Sequence, residues 1–175
     1  CWCQNLKTSI IEIICNQELD NIHFPKLGFY LKNDSIYKLT LNKKSYTHLL
    51  NFSMKNIKIS DLNLDQNQLV LIDYDAFYGL NMLKTLILSN NKLSFISIDT
   101  KNLQSLTELN LSHNQIKILC NRSFIGLAKL KVLNLDSNQI DQIESNAFSD
   151  LVNLEKLNLG NNFLQIDKNS QMFSS

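Results

Sequence analysis

A 24-residue period governs this chain. Leu106, Leu109, Leu111, Asn114, Ile116, Leu119, Phe124 and Leu127 are followed, 24 residues later, by Leu130, Leu133, Leu135, Asn138, Ile140, Ile143, Phe148 and Leu151. Every position keeps its type. The same series stands upstream as Ile59, Leu62, Leu64, Asn67, Leu69, Ile72, Phe77 and Leu80. Leu83, Leu86, Leu88, Asn91, Leu93 and Ile96 open a unit one residue shorter, in which Thr100 or Lys101 falls where the ring belongs. A further unit opens with Leu154, Leu157, Leu159, Asn162 and Leu164, and a degenerate one with Ile36, Leu39 and Leu41, where Lys44 replaces the Asn. A period of this length means a stack of similar coils, each covering its neighbour's apolar face.

The local chemistry of one unit supports that stack. In Leu109-Asn110-Leu111 alternate side chains point to opposite faces, so the leucines go inward and Asn110 goes out on a short strand. Asn67, Asn91, Asn114, Asn138 and Asn162 sit where the chain must bend away from the strand. An amide can donate and accept there, satisfying backbone groups that the bend removes from the ladder. Phe77, Phe124 and Phe148 are expected to stack as a spine on the opposite side. Four Gly and one Pro among 175 residues exclude collagen and low-complexity linker, so a real core is expected.

These units meet the pattern L-x-x-L-x-L-x-x-N-x-L, and over residues 36–175 the chain resembles leucine-rich-repeat proteins. With Phe at its nineteenth position, the unit is similar to those of secreted and cell-surface members: Toll-like receptors, Slit-like proteins and small proteoglycans. The resemblance implies an α/β solenoid, a right-handed horseshoe with a concave parallel sheet and an irregular or 3-10 convex side, its units starting near 36, 59, 83, 106, 130 and 154.

Residues 1–35 do not repeat, and Cys1, Cys3 and Cys15 followed by Leu19, Ile22 and Pro25 resemble the cysteine-containing N-terminal cap of extracellular members. Family caps pair their second Cys with their fourth and their first with their third. Carried over, this implies Cys1 to Cys15 and leaves Cys3 without a partner; a reduced cap with a single Cys3 to Cys15 bond is the alternative. After Asn162 the pattern decays without a C-terminal cysteine cluster. Lys168 to Ser175 either folds over the end as a lid or leads, as we expect, into further chain. Disulfides persist in oxidising surroundings, which places the chain outside the cell. Sequons at Asn33, Asn51, Asn110 and Asn121 agree with that placement, Asn121 being preferred to Asn110.

An enzyme needs a convergent set of reactive groups, and none is visible. No phosphate-cradling loop or H-E-x-x-H motif occurs, and His23, His48 and His113 are scattered. We therefore expect no catalysis, cofactor or metal, and take Cys120, alone in its unit, as a small half-buried thiol. With 17 Lys+Arg against 16 Asp+Glu, a nucleic-acid partner held by phosphate neutralisation is not expected. No apolar stretch approaches the ~18 residues that cross a bilayer, so membrane attachment requires a segment outside this chain.

What a solenoid offers is its row of outward strand residues. The candidate ligand-binding positions are Asp61, Asn63 and Asp65; Lys84 and Ile87; Glu108 and Asn110; Lys131, Asn134 and Asp136; Glu155, Lys156 and Asn158, with Ser60, Ser89 and Ser112 in the same row. Aromatic anchors come from the loops, at Phe52, Tyr74 and Tyr78, or from Phe29, Tyr30 and Tyr37 near the cap. The expected role is recognition of a protein or other macromolecule on this face or its flanking loops, by a secreted or cell-surface receptor or adhesion protein. An intracellular scaffold or regulatory subunit is the rival, and oligomeric state is left open.

Overall fold

The computed structural model describes residues 2–5, 10–14, 36–43, 45–49, 58–96, 98 and 100–165, with backbone alone for 2–5, 10–14, 36–37 and 101. Its strands in chain order are β1 (Trp2–Asn5), β2 (Ile10–Ile14), β3 (Ile36–Thr40), β4 (His48–Leu49), β5 (Ile59–Asn63), β6 (Leu71–Ile72), β7 (Thr85–Ile87), β8 (Glu108–Asn110), β9 (Ile118–Leu119), β10 (Val132–Asn134), β11 (Gln142–Ile143) and β12 (Lys156–Asn158). Eight of them form one sheet in the order β1-β2-β3-β5-β7-β8-β10-β12. From β2 onward every pairing is parallel. This is the parallel-strand solenoid that the period demands. Its opposite side is made of turns, the two-stranded pairs β4–β6 and β9–β11, and a 3-10 turn at Thr100–Asn102.

The register puts like on like. Leu39, Leu62, Leu86, Leu109, Leu133 and Leu157 face one another across successive strands. Leu133 is 1 % exposed, whereas Leu157, in the same row on β12 with no described rung beyond it, is 38 % exposed. That contrast measures what a neighbouring coil does, since a coil buries its leucines only against the next one. Leu111 and Leu135 lie in one buried layer, as the alternation requires.

The asparagine row does more than fill a bend. Asn114 donates from Nδ2 to the carbonyls of Leu88 in the preceding coil (3.0 Å) and Leu111 in its own (3.0 Å), while its Oδ1 accepts from the Leu93 N–H (3.0 Å). Asn138 repeats this with Leu111, Leu135 and the Ile116 N–H, and Asn91 with Leu64, Leu88 and the Leu69 N–H. Asn67 and Asn162 do the same at the ends of the row. The residue before each one is left-handed without being glycine: Gln66, Asn90, His113, Ser137 and Asn161 have φ between 49° and 53°. Such a conformation costs about 1 to 3 kcal/mol per residue unless its surroundings hold it. The amide that follows supplies those surroundings.

The ring spine is broken in the middle. Phe124 and Phe148 stack with centroids 5.8 Å apart and planes 6° from parallel. In the short unit Thr100 takes the ring position: it is 2 % exposed, and the Leu103 N–H bonds to its carbonyl as Leu127 bonds to Phe124. The missing residue therefore lies before Thr100. At the other end of the sheet, β3 and β5 carry a register shift: Tyr37 faces Ile59 but Lys38 faces Asp61. Ser60 is the unmatched residue of this bulge. Antiparallel pairing of β1 with β2 within residues 1–35 adds two rungs to the sheet that the period does not announce.

Replacing Asn138 with Ala should lower unfolding free energy by about 1 to 3 kcal/mol, because the Ile116 N–H loses its acceptor inside the stack and the Leu111 and Leu135 carbonyls each lose one of two amide donors, keeping those from Asn114 and Asn162. Urea denaturation checks this. The same change at the half-exposed Asn162 should cost less, since water can replace its bonds.

Candidate interaction surface

The outward faces of β3, β5, β7, β8, β10 and β12 make one continuous strip, and most of its polar side chains are occupied with the strip's own backbone. Asn63 Oδ1 accepts from the Asp65 N–H (2.9 Å), Asn110 from Ser112 (3.0 Å), Asn134 from Asp136 (3.1 Å) and Asn158 from Gly160 (3.0 Å). Each is a side chain turning back onto the backbone two residues on, which shapes the strand's exit. Asp65 and Asp136 tie coils together. Asp65 Oδ1 accepts from Ser89 Oγ (2.6 Å) and Asn90 Nδ2 (2.9 Å), and Asp136 Oδ1 from Asn161 Nδ2 (3.0 Å). A Cβ on Gly160 would stand 2.6 Å from Asp136 Oδ1, so a larger residue there would have to displace that carboxylate.

Charges on the strip pair across rungs. Lys131 Nζ lies 2.7 Å from Glu155 Oε1, and Lys38 Nζ lies 3.5 Å from Asp61 Oδ2. Both pairs are largely exposed and contribute little to stability. The Lys131 ammonium, by hydrogen bond and by charge, holds the Glu155 carboxyl below its ordinary range. Partial burial pushes the Asp65 carboxyl up, but the hydrogen bonds from Ser89, Asn90 and Gln66 outweigh it and hold its pKa below the usual value.

Subtracting these commitments leaves Lys84, Glu108 and Lys156, which are exposed, and Ile87, which is half-buried in the centre of the strip. Ile87 occupies the column of Asn63 and Asn110 and cannot accept the hydrogen bond they accept, so the Ser89 N–H lacks the partner its counterparts have. Beside it lies a notch of about 170 Å³ lined by Lys38, Thr40, Asp61, Asn63, Thr85 and Ile87.

Two expectations need correction. Ser60, Ser89 and Ser112 are buried, because the bulge withdraws the first and the others bond to Asp65 and to Asn110 Oδ1. Cys120 is exposed rather than half-buried. Among the loop aromatics Tyr74 and Tyr78 are exposed. Cys1, Cys15, Asn33, Asn51, Phe29, Tyr30, Phe52 and residues 168–175 lie outside the described residues, and Cys3 is placed in β1 by its backbone. Among the described residues no cluster of His, Cys, Asp and Glu is arranged to hold a metal, and no helix is long and apolar enough to cross a membrane.

The leucine rich repeat family model matches residues 57–116 and 104–164, more than half of the chain. Toll-like receptor 3 of Bos taurus is 39% identical over 87 residues, covering 48% of this chain and 10% of that protein. Toll-like receptor 3 of Boselaphus tragocamelus is 35% identical over 139 residues, 72% of this chain and 15% of that protein. The aligned stretch thus spans a small part of either relative's length.

Two outcomes follow from the strip's geometry. Ile87→Asn should raise unfolding free energy by about 0.5 to 1.5 kcal/mol by giving the Ser89 N–H its acceptor, and Asn110→Ala should lower it by a similar amount; both are read from urea midpoints. A depressed folded-state pKa gives stability that is present above the unfolded pKa and is lost as pH falls through the folded one. Asp65→Asn, titrated in thermal melts from neutral to acid, should therefore lose less stability with acid than the parent chain.

Proposed function

The chain belongs to the leucine-rich-repeat family, and from that premise we propose that it is a non-enzymatic recognition module of a secreted or cell-surface receptor, gripping a protein or other macromolecule with its concave strip. The observation that carries this reading is the residue of uncommitted groups. On a strip where the asparagines, aspartates and two ion pairs satisfy one another, Lys84 and Glu108 face solvent with no side-chain hydrogen bond or ion pair among the described residues, Lys156 is exposed with only a through-space charge effect on Glu155, and Ile87 gives up a bond its neighbours make. Groups so placed can meet a ligand without first breaking an internal contact, which keeps the cost of binding low. The polar, shallow surface suits a large partner better than a small substrate.

The extracellular placement has separate support. The similarity to two Toll-like receptor 3 proteins is to receptors by name. Four sequons and the Cys1, Cys3 and Cys15 pattern fit an oxidising, glycosylating route. In this reading Cys15 is bonded to Cys1 or Cys3.

Protein secreted from its host should show that bond by non-reducing peptide mapping and should lose mass on glycosidase treatment. Three free thiols and no mass change would favour an intracellular scaffold. For the surface itself, photoreactive side chains placed at Lys84 or Glu108 should crosslink the bound partner, while one at Tyr78 on the opposite side should not. Lys84→Glu should weaken binding about tenfold, or 1.4 kcal/mol, without lowering the melting temperature. Crosslinking from Tyr78 alone would move the site to the convex loops.

A further inference from the structure

The short unit leaves a hole in the convex side. Thr100 stands where Phe77 and Phe124 stand in their coils, and its hydroxyl is drawn to the Ile125 carbonyl (2.5 Å) instead of filling a ring's volume. The loops of the two flanking coils border the gap. Between them is a cavity of about 420 Å³, with Ile72, Ile96, Ile98 and Ile125 among its apolar lining and Tyr74 and Cys120 among its more exposed residues. That volume falls within the range of small-ligand sites, ~300 to 1,000 Å³.

All three residues of one sequon, Asn121, Arg122 and Ser123, also line this cavity. Asn121 is held in place from the next coil: its N–H donates to Glu144 Oε2 (2.6 Å) and its Oδ1 accepts from the Asn146 N–H (3.2 Å). Those bonds leave Nδ2, the atom to which a glycan is attached, uncommitted on an exposed residue. Arg122 is left-handed, with φ of 60°, so the chain turns sharply in the middle of the sequon.

We propose that Asn121 is N-glycosylated and that its first N-acetylglucosamine lies across the cavity, covering the Cys120 thiol. In the transfer, Nδ2 loses a proton and bonds to the anomeric carbon of a polyprenyl-diphosphate-linked glycan. The bond from that carbon to the diphosphate breaks, and the electron pair leaves with the diphosphate. The occupant suits the lining. An acetyl methyl and the ring C–H groups meet the isoleucines, the sugar hydroxyls meet Asp73 and Arg122, and Tyr74, 59 % exposed, offers an amphipathic flank. The proposal rests on the extracellular reading above, since attachment requires passage through the secretory route.

The test uses the full chain secreted from eukaryotic cells and trimmed by an endoglycosidase that leaves one N-acetylglucosamine. Alkylation of Cys120 by N-ethylmaleimide is followed by mass spectrometry. The trimmed protein should react at least tenfold more slowly than Asn121→Gln or Ser123→Ala, the latter keeping the Asn121 side chain and its bond to Asn146. Tyr74→Ala in the glycosylated protein should recover part of the rate. Equal rates with Asn121 occupied would mean that the sugar stands in solvent and would overturn the inference while leaving secretion intact. An unmodified Asn121 beside sugars on Asn33 or Asn51 would overturn it as well. No sugar on any sequon, together with free Cys1, Cys3 and Cys15, would instead overturn the extracellular reading.

Discussion

Each buried ladder amide joins two coils by hydrogen bonds that neither coil could make alone. Asn114 takes its carbonyl partners from Leu88 and Leu111, one on each side of the coil boundary, and its N–H partner from Leu93. Without it, the Leu93 N–H would lose its acceptor, the Leu88 and Leu111 carbonyls would each keep one of two amide donors, from Asn91 and Asn138, and the left-handed His113 would lose the contact that holds it. Leucine packing supplies most of the driving force, but it is indifferent to small slips along the stack. The amides are directional, and they fix where each coil bends relative to the one before. Register, sheet and surface columns follow from that.

The same constraint separates structural from available groups on the outer strip. A side chain beside the strand exit is drawn into shaping it, which is why Asn63, Asn110, Asn134 and Asn158 bond to the backbone two residues on and why Asp65 reaches into the next coil. Farther from the exit, Lys84, Glu108 and Lys156 meet no such demand. In the proposed reading, recognition draws on a small remainder of the outward residues rather than on the row as a whole.

How much of this could be read from the residues depends on whether a feature repeats. The leucine rows and ladder asparagines were legible because each recurs in register, and the fold follows from them. Features that occur once were not. The bulge at Ser60 arises where one unit meets a degenerate neighbour, and nothing in Ile-Ser-Asp-Leu marks it. The β1–β2 pair had a signal that the period overshadowed, since Ile10, Ile11, Ile13 and Ile14 form a β-branched run of strand character. The outer asparagine column was visible as a row of outward candidates, but its bond to the backbone was not. Its position two residues before Asp65, Ser112, Asp136 or Gly160 is the spacing of a side chain that folds back on its own backbone. Ser89 is drawn in by a bond across coils to Asp65 and Ser112 by a local bond to Asn110 Oδ1, neither of which a pattern of alternation contains.

The unit beginning at Leu83 departs from the pattern on both sides. On the concave side Ile87 forgoes an asparagine's bond, and on the convex side a lost residue and Thr100 interrupt the rings. In a stack whose stability is a sum of nearest-neighbour terms, a weakened coil costs only at its two interfaces. Two departures in different coils would weaken up to four. Confined to one unit, and with Asn67, Asn91 and Asn114 intact around it, they leave the ladder continuous while opening a notch on one face and a cavity on the other.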